Sequence, residues 1–132
     1  MSQENVELTR LGYEAFNRGD LDGVLGLCAP DVVWQDLGAI DVAASSGKDA
    51  VRAFFETVLD PWEELRREPE EIIDLGGEQV LVLFHITGRG KGSGIEVDAR
   101  GGDLLTIREG RFVRWMAYPD QAQAREAAGL GG

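Results

Sequence analysis

Apolar residues along this chain recur first at helical spacing and then at strand spacing, and the change of period divides it in two. Leu8, Leu11, Gly12 and Ala15 fall on one face at about 100° per residue, with Val6 and Tyr13 on the other. That spacing predicts a first helix, capped by Ser2, acidic in its first turn at Glu4 and stopped at Asn17-Arg18-Gly19. Asp20 is predicted to cap a second, short helix whose apolar positions are Leu21, Val24, Leu25 and Cys28, with Pro30 as its stop. Val32 to Leu37 reads as a strand. Val51, Phe54, Phe55, Val58 and Leu59 then stand at i, i+3, i+4, i+7 and i+8, which predicts a third helix opened near Ser46 and closed by Asp60-Pro61.

From there the period becomes two. Turn signals at Gly76-Gly77, Gly88 to Gly94 and Glu109-Gly110 separate four predicted strands, Trp62 to Leu75, Val80 to Thr87, Ile95 to Arg108 and Arg111 to Tyr118. Pro69 lacks the N–H a central strand needs, so the first of these is expected at an edge or to carry a bulge. Asp120 is expected to cap a short last helix that frays into Gly131-Gly132. Helices followed by consecutive antiparallel strands predict an α+β domain with its helices against one face of a curved sheet.

Composition narrows the classes. The 132 residues suit one domain, because half that length would leave neither piece an adequate core. At 43% hydrophobic and 28% charged the chain is expected to be globular. Its longest apolar run, Val80 to Phe84, is far short of the roughly 18 residues of a membrane span. With 24 acidic against 13 basic residues the net charge is −11, which repels phosphate backbones and anionic bilayers, so neither nucleic acid nor membrane partners are expected. One cysteine, Cys28, and one histidine, His85, exclude an internal disulfide and a Cys/His zinc cage. Met1 to Asn5 has neither the basic start nor the apolar stretch of an export signal, so a cytoplasmic address is expected.

Two carboxylates stand on faces that should be apolar. From Ile95 to Ile107 the odd positions Ile95, Val97, Ala99, Gly101, Leu105 and Ile107 are apolar or small, and Asp103 shares their parity. Asp36 likewise shares a face with Val32 and Trp34. A carboxyl pointing into a core must protonate or find donors. Either residue alone has a structural explanation as a loop cap, a turn residue or an arginine partner, and a bulge at Gly101-Gly102 would turn Asp103 outward. Together, one ionised and one protonated carboxyl in an apolar pocket can abstract a proton beside a carbonyl and hydrogen-bond the oxyanion that forms.

The run from Tyr13 to Gly23 (Tyr-Glu-Ala-Phe-Asn-Arg-Gly-Asp-Leu-Asp-Gly), then Ala29-Pro30-Asp31-Val32 and the closing Asp120 to Leu130 segment, resemble the nuclear transport factor 2-like superfamily. The SnoaL-like and ketosteroid isomerase-like groups are the nearest. The resemblance covers essentially the whole chain and implies a cone-shaped, cystatin-like roll: a curved antiparallel or mixed sheet wrapped around N-terminal helices, with a deep apolar pocket between them. It says less about function, since the superfamily includes isomerases, polyketide cyclases, epoxide hydrolases, dehydratases and non-catalytic binding subunits. The isomerases' general base corresponds to Asp36, five residues after Asp31, and their oxyanion-hole acid to Asp103, four before Ile107. Their oxyanion-hole tyrosine, five residues before Asn17, corresponds to Gly12, a departure, and Tyr13 points about 100° away on the helical wheel. One missing oxyanion donor costs ~2.7–4 kcal/mol of transition-state stabilisation, which argues against steroid isomerase activity. A bulkier ligand over Gly12 is one alternative.

The strand histidine of SnoaL-type cyclases corresponds to Asp103, and His85 lies on another strand, where a core or sheet-surface role competes with acid–base work. Arg100 and Asp98 fall on the polar face. Gly88 to Gly94 fits neither phosphate-loop spacing nor a dinucleotide fingerprint and reads as a hairpin loop, with a gate beside the pocket as an alternative. Trp34, Phe54, Phe84, Trp115 and Tyr118, with Gly12, are the expected lining of the pocket. The expected function is that of a cofactor-independent enzyme, with Asp36 as base and Asp103 as a protonated oxyanion donor, acting on a small apolar carbonyl compound. The alternative is a non-catalytic domain that binds a small hydrophobic ligand. A homodimer through the open sheet face around Leu104, Thr106 and one face of Phe112 to Tyr118 is expected as well.

Overall fold

The computed structural model describes residues 2–37 and 44–130. The side chain of Ser2, expected as a cap, and the expected fraying at Gly131-Gly132 lie outside the described residues. Helices α1 (Ser2–Asn17) and α2 (Leu21–Gly26) lead into strand β1 (Cys28–Asp36), a two-residue β2 (Ser45–Ser46) and helix α3 (Lys48–Leu59). Four long strands follow, β3 (Trp62–Asp74), β4 (Gln79–Gly90), β5 (Glu96–Arg108) and β6 (Arg111–Tyr118), then helix α4 (Gln121–Ala127). They form one six-stranded sheet in the order β2-β1-β6-β5-β4-β3. It is mixed, since β1 runs parallel to β6 and every other pairing is antiparallel.

The helical spacing gave the right elements and, for α1, a face that includes Gly12 and Ala15 but is rotated toward Leu11 and away from Tyr13. Thr9, Gly12, Tyr13 and Ala15 are buried, whereas Leu11, expected inward, is 46% exposed. The helix is turned so that Gly12 lies against the sheet: a Cβ there would sit 3.0 Å from the Phe112 ring. That approach brings Tyr13 inward beside it, where its buried hydroxyl finds a partner. Cys28 and Pro30 belong to β1, not to the end of α2, which stops after Gly26. Ser46 belongs to β2, and Gly47 takes the N-cap position of α3.

Pro69 has both of its expected consequences. β3 is an edge strand of the sheet, and its register against β4 shifts between Pro69 and Glu71. The extra residue changes which parity faces the helices, from Leu65 and Arg67 before the bulge to Ile72 after it. By contrast β4 and β5 stay in unbroken register through Gly101 and Gly102, so nothing turns Asp103 outward. The glycines serve packing: a Cβ on Gly102 would lie 2.4 Å from the Ala124 Cβ of α4. Helix α4, capped by Asp120 accepting from the Gln123 N–H at 2.8 Å, therefore packs on the face opposite α1. It closes a second apolar cluster of Leu81, Leu83 and Ala124, separate from the main core around Tyr13, Trp34, Phe55 and Trp115. The expectation that all helices share one face holds for α1 to α3 only. Gly88 to Gly90 extend β4, which confines the connecting loop to residues 91–95.

Candidate active site

Asp103 is fully buried, and two side chains converge on it. The Tyr13 hydroxyl from α1 donates to Oδ2, and Nη2 of Arg67 from β3 donates to Oδ1 at 3.0 Å. Tyr13 is itself buried, and burial, followed by the Asp103 charge, raises its phenol well above the usual range, so it remains a donor. The Trp115 indole N–H faces the same carboxyl without reaching hydrogen-bond geometry. Burial pushes the Asp103 carboxyl above the ordinary carboxylate range, against the opposing pull of the Arg67 charge, the Tyr13 hydroxyl and Trp115, while the Asp36 charge adds to the rise. With both oxygens engaged, Asp103 acts here as an acceptor that holds two donors.

Arg67 is the residue that sequence reasoning missed. Its side chain is only 13% exposed, its guanidinium carbon lies 4.2 Å from the Phe84 ring centroid, and its Nε–H is buried without a partner. Buried charges of this kind persist only when paired. The signal was available in the Arg66-Arg67 doublet: Arg67 shares the parity of Leu65, and Arg66 turns outward to Glu68.

Asp36 and Asp103 occupy one row of the sheet, because each is in register with Ala117 between them. Their Cα atoms are therefore about two strand spacings apart, ~9.5 Å, too far to share a proton and close enough for the Asp36 charge to reach Asp103. Asp36 lies on the wall of a cavity of about 190 Å³ together with Phe16, Trp34, Phe54, Arg67 and Phe84. Tyr118 also reaches this cavity, from the end of β6. Gly12 and Trp115, both expected in the lining, are absent from that wall and border an inner void of about 10 Å³ with Tyr13, Trp34 and Arg67. The pocket is shallow for a physical reason. Phe112 fills the space over Gly12, while Trp34 and Trp115 stack at 4.3 Å and Phe55 meets Trp34 at 4.5 Å.

The other candidates resolve onto the surface. His85 Nε2 lies 2.6 Å from Asp98, and Arg100 pairs with Glu70 at 3.1 Å. Both pairs lie on exposed positions of the sheet, although Arg100 also borders the cavity mouth. Among the described residues no group of His, Cys, Asp or Glu is arranged to hold a metal ion, and no helix is long and apolar enough to cross a membrane.

Comparison with known proteins agrees with this architecture. The family model of the SnoaL-like domain matches residues 10–115. An NTF2-like protein of unknown function from Burkholderia pseudomallei is 30% identical with a TM-score of 0.80, over 93% of this chain and 95% of that one. A putative polyketide cyclase from Xanthomonas campestris pv. campestris is 26% identical with a TM-score of 0.74, over 89% and 90%. The RV0760c protein of Mycobacterium tuberculosis, crystallised with estradiol-17beta-hemisuccinate, shares the fold at 22% identity and a TM-score of 0.77, over 87% and 92%. No curated protein matches the chain. With a buried Tyr13–Asp103–Arg67 chain beside an aromatic cavity and a family model spanning most of its length, the chain belongs to the SnoaL-like family of the NTF2-like superfamily.

Proposed function

We propose that the protein is an acid–base catalyst that takes a proton from carbon beside the carbonyl of a small, largely apolar compound bound in the aromatic cavity. Asp36 is the base. The C–H electron pair moves toward the carbonyl, and the enolate oxygen that results is received by the Arg67 guanidinium, whose Nε–H has no protein partner. Asp36 then returns the proton to the same or another carbon. The observation that carries this is the presence of Asp36 and Arg67 on the wall of one apolar cavity, with Arg67 held by a carboxylate on its far side. The oxyanion role first assigned to Asp103 passes to Arg67, and Asp103 and Tyr13 orient it. At about 190 Å³ the cavity lies below the ~300–1,000 Å³ that encloses drug-sized ligands. A compound of steroid size would therefore leave part of itself outside. Similarity to a putative polyketide cyclase at 26% identity supports an enolisable carbonyl as the substrate class.

The test is exchange of α-protons for deuterium in a panel of one- and two-ring ketones in heavy water, read by mass spectrometry. General-base catalysis contributes ~10²–10⁴-fold, so Asp36→Asn is expected to remove at least ~10²-fold of the enzyme-dependent exchange while its circular dichroism stays that of the parent. Exchange unaffected by Asp36→Asn refutes the assignment of the base. Tight binding of panel members with no exchange by the parent protein refutes catalysis in favour of ligand binding alone.

A further inference from the structure

We propose that Asn17 is a positioning residue, which sets the Arg67 guanidinium against Asp103 by gripping the Arg67 backbone from the end of α1. Asn17 Nδ2 donates to the Arg67 carbonyl at 2.9 Å, and Asn17 Oδ1 accepts from the Arg67 N–H at 2.7 Å. Arg67 is opposite Ile86 of β4, and both of these main-chain groups point away from that strand, off the free edge of the sheet. Such edge groups ordinarily go to water. Here one side-chain amide takes both, as a neighbouring strand would.

The choice of side chain follows from the inventory of donors and acceptors. A short amide presents one of each in a plane; a carboxylate presents acceptors alone, and alanine neither. Asn17 also stands one helical turn after Tyr13, so the two share a face of α1. The contacts close a circuit: Tyr13 hydroxyl to Asp103, Asp103 to the Arg67 guanidinium, Arg67 backbone to the Asn17 amide, and α1 back to Tyr13. A single rigid helix thus fixes both donors that meet Asp103. The long arginine stem, which has many rotamers, thereby starts from a backbone held by β4 on one side of the strand and by Asn17 on the other.

The positioning stands on these contacts alone; its consequence for turnover rests on the proton-transfer reading. The experiment is a carbon-13 NMR titration of the Asp103 carboxyl in the parent, Asn17→Ala and Asn17→Ser, each also in an Arg67→Met background. With Arg67 loosened, its downward pull on Asp103 weakens, so the Asp103 titration is expected to move up in Asn17→Ala. It should move up less in Asn17→Ser, whose uncharged hydroxyl keeps an acceptor for the Arg67 N–H without adding a charge that would itself raise Asp103, and which serves if the alanine variant fails to fold. In the Arg67→Met background the Asn17 substitutions should add no shift. An Asp103 titration unmoved by both Asn17 substitutions, or a shift that persists without the arginine, overturns the proposal. Where the protein turns over a ketone, kcat is expected to fall by up to ~10²-fold with KM little changed, the scale of a misplaced catalytic contact. The titration reads Arg67 whether or not the protein catalyses that reaction.

Discussion

Replacing Tyr13 with phenylalanine removes one oxygen and leaves the ring, so the core keeps its shape and Asp103 loses one of its two formed hydrogen bonds. Tyr13 is 2% exposed and Asp103 0%, so water cannot replace the donor without rearrangement. A hydrogen bond to a charged group contributes ~1.5–3 kcal/mol, and full burial of the pair removes any need to discount for solvent screening. The expected loss at pH 8 is about 2 kcal/mol. With a urea m-value of about 2 kcal/mol/M, that lowers the unfolding midpoint by roughly 1 M. The pH dependence has a definite sign. The folded Asp103 carboxyl lies above its unfolded range, chiefly through burial, so the stability linked to its protonation is fully present below the unfolded carboxylate pKa and is lost as pH rises through the folded one. The Tyr13 hydroxyl opposes that rise, so Tyr13→Phe carries the folded value higher and enlarges the loss on the alkaline side. Urea unfolding followed by circular dichroism at pH 4.5 and pH 8 should show the smaller deficit at the acidic pH. A deficit under about 0.5 kcal/mol at both, or a larger one at pH 4.5, would refute the reasoning.

Two further outcomes are expected. Gly102→Ala places a Cβ 2.4 Å from the Ala124 Cβ, a methyl fixed to the α4 backbone with no torsion by which to yield. α4 should then lift, at a cost of about 1–3 kcal/mol by thermal melting, with faster hydrogen exchange in 121–127; a melting temperature equal to the parent's would contradict the packing described. Burial pushes the Cys28 thiol up to about 11, so it should resist a thiol reagent at pH 8 in the folded protein and react once unfolded. Rapid labelling of the native chain would show that β1 opens.

How much was legible in the sequence differs between the two carboxylates and their partners. Asp103 could be read from one strand, because alternation has period two and an unbroken register carries parity through Gly101-Gly102. Asp36 could be read in the same way from Val32 and Trp34. The inward side of Tyr13 is hidden by Leu11, which stands at apolar spacing with Leu8 and Ala15 and draws the wheel away from Tyr13 although it is itself exposed; Gly12, with no side chain, does not declare its close approach to Phe112. Arg67 was passed over because a charged residue on an edge strand is ordinarily solvated. What buries it is the packing of β3 against α1, where Arg67 meets Phe16 and Asn17.

The sequence by itself determined the order and type of the elements other than the two-residue β2, the inward parity of Asp36 and Asp103, and the family, since all of these depend on local periodicity and on motifs within one or two elements. Only the tertiary structure decided which atoms meet. The Tyr13–Asp103 contact joins residues 90 apart in sequence, and the Arg67–Asp103 contact residues 36 apart. The rotation of α1, the bulge after Pro69 and the aromatic stacking that leaves a shallow cavity are each set by close packing between elements distant in the chain. No local pattern encodes a distance between them.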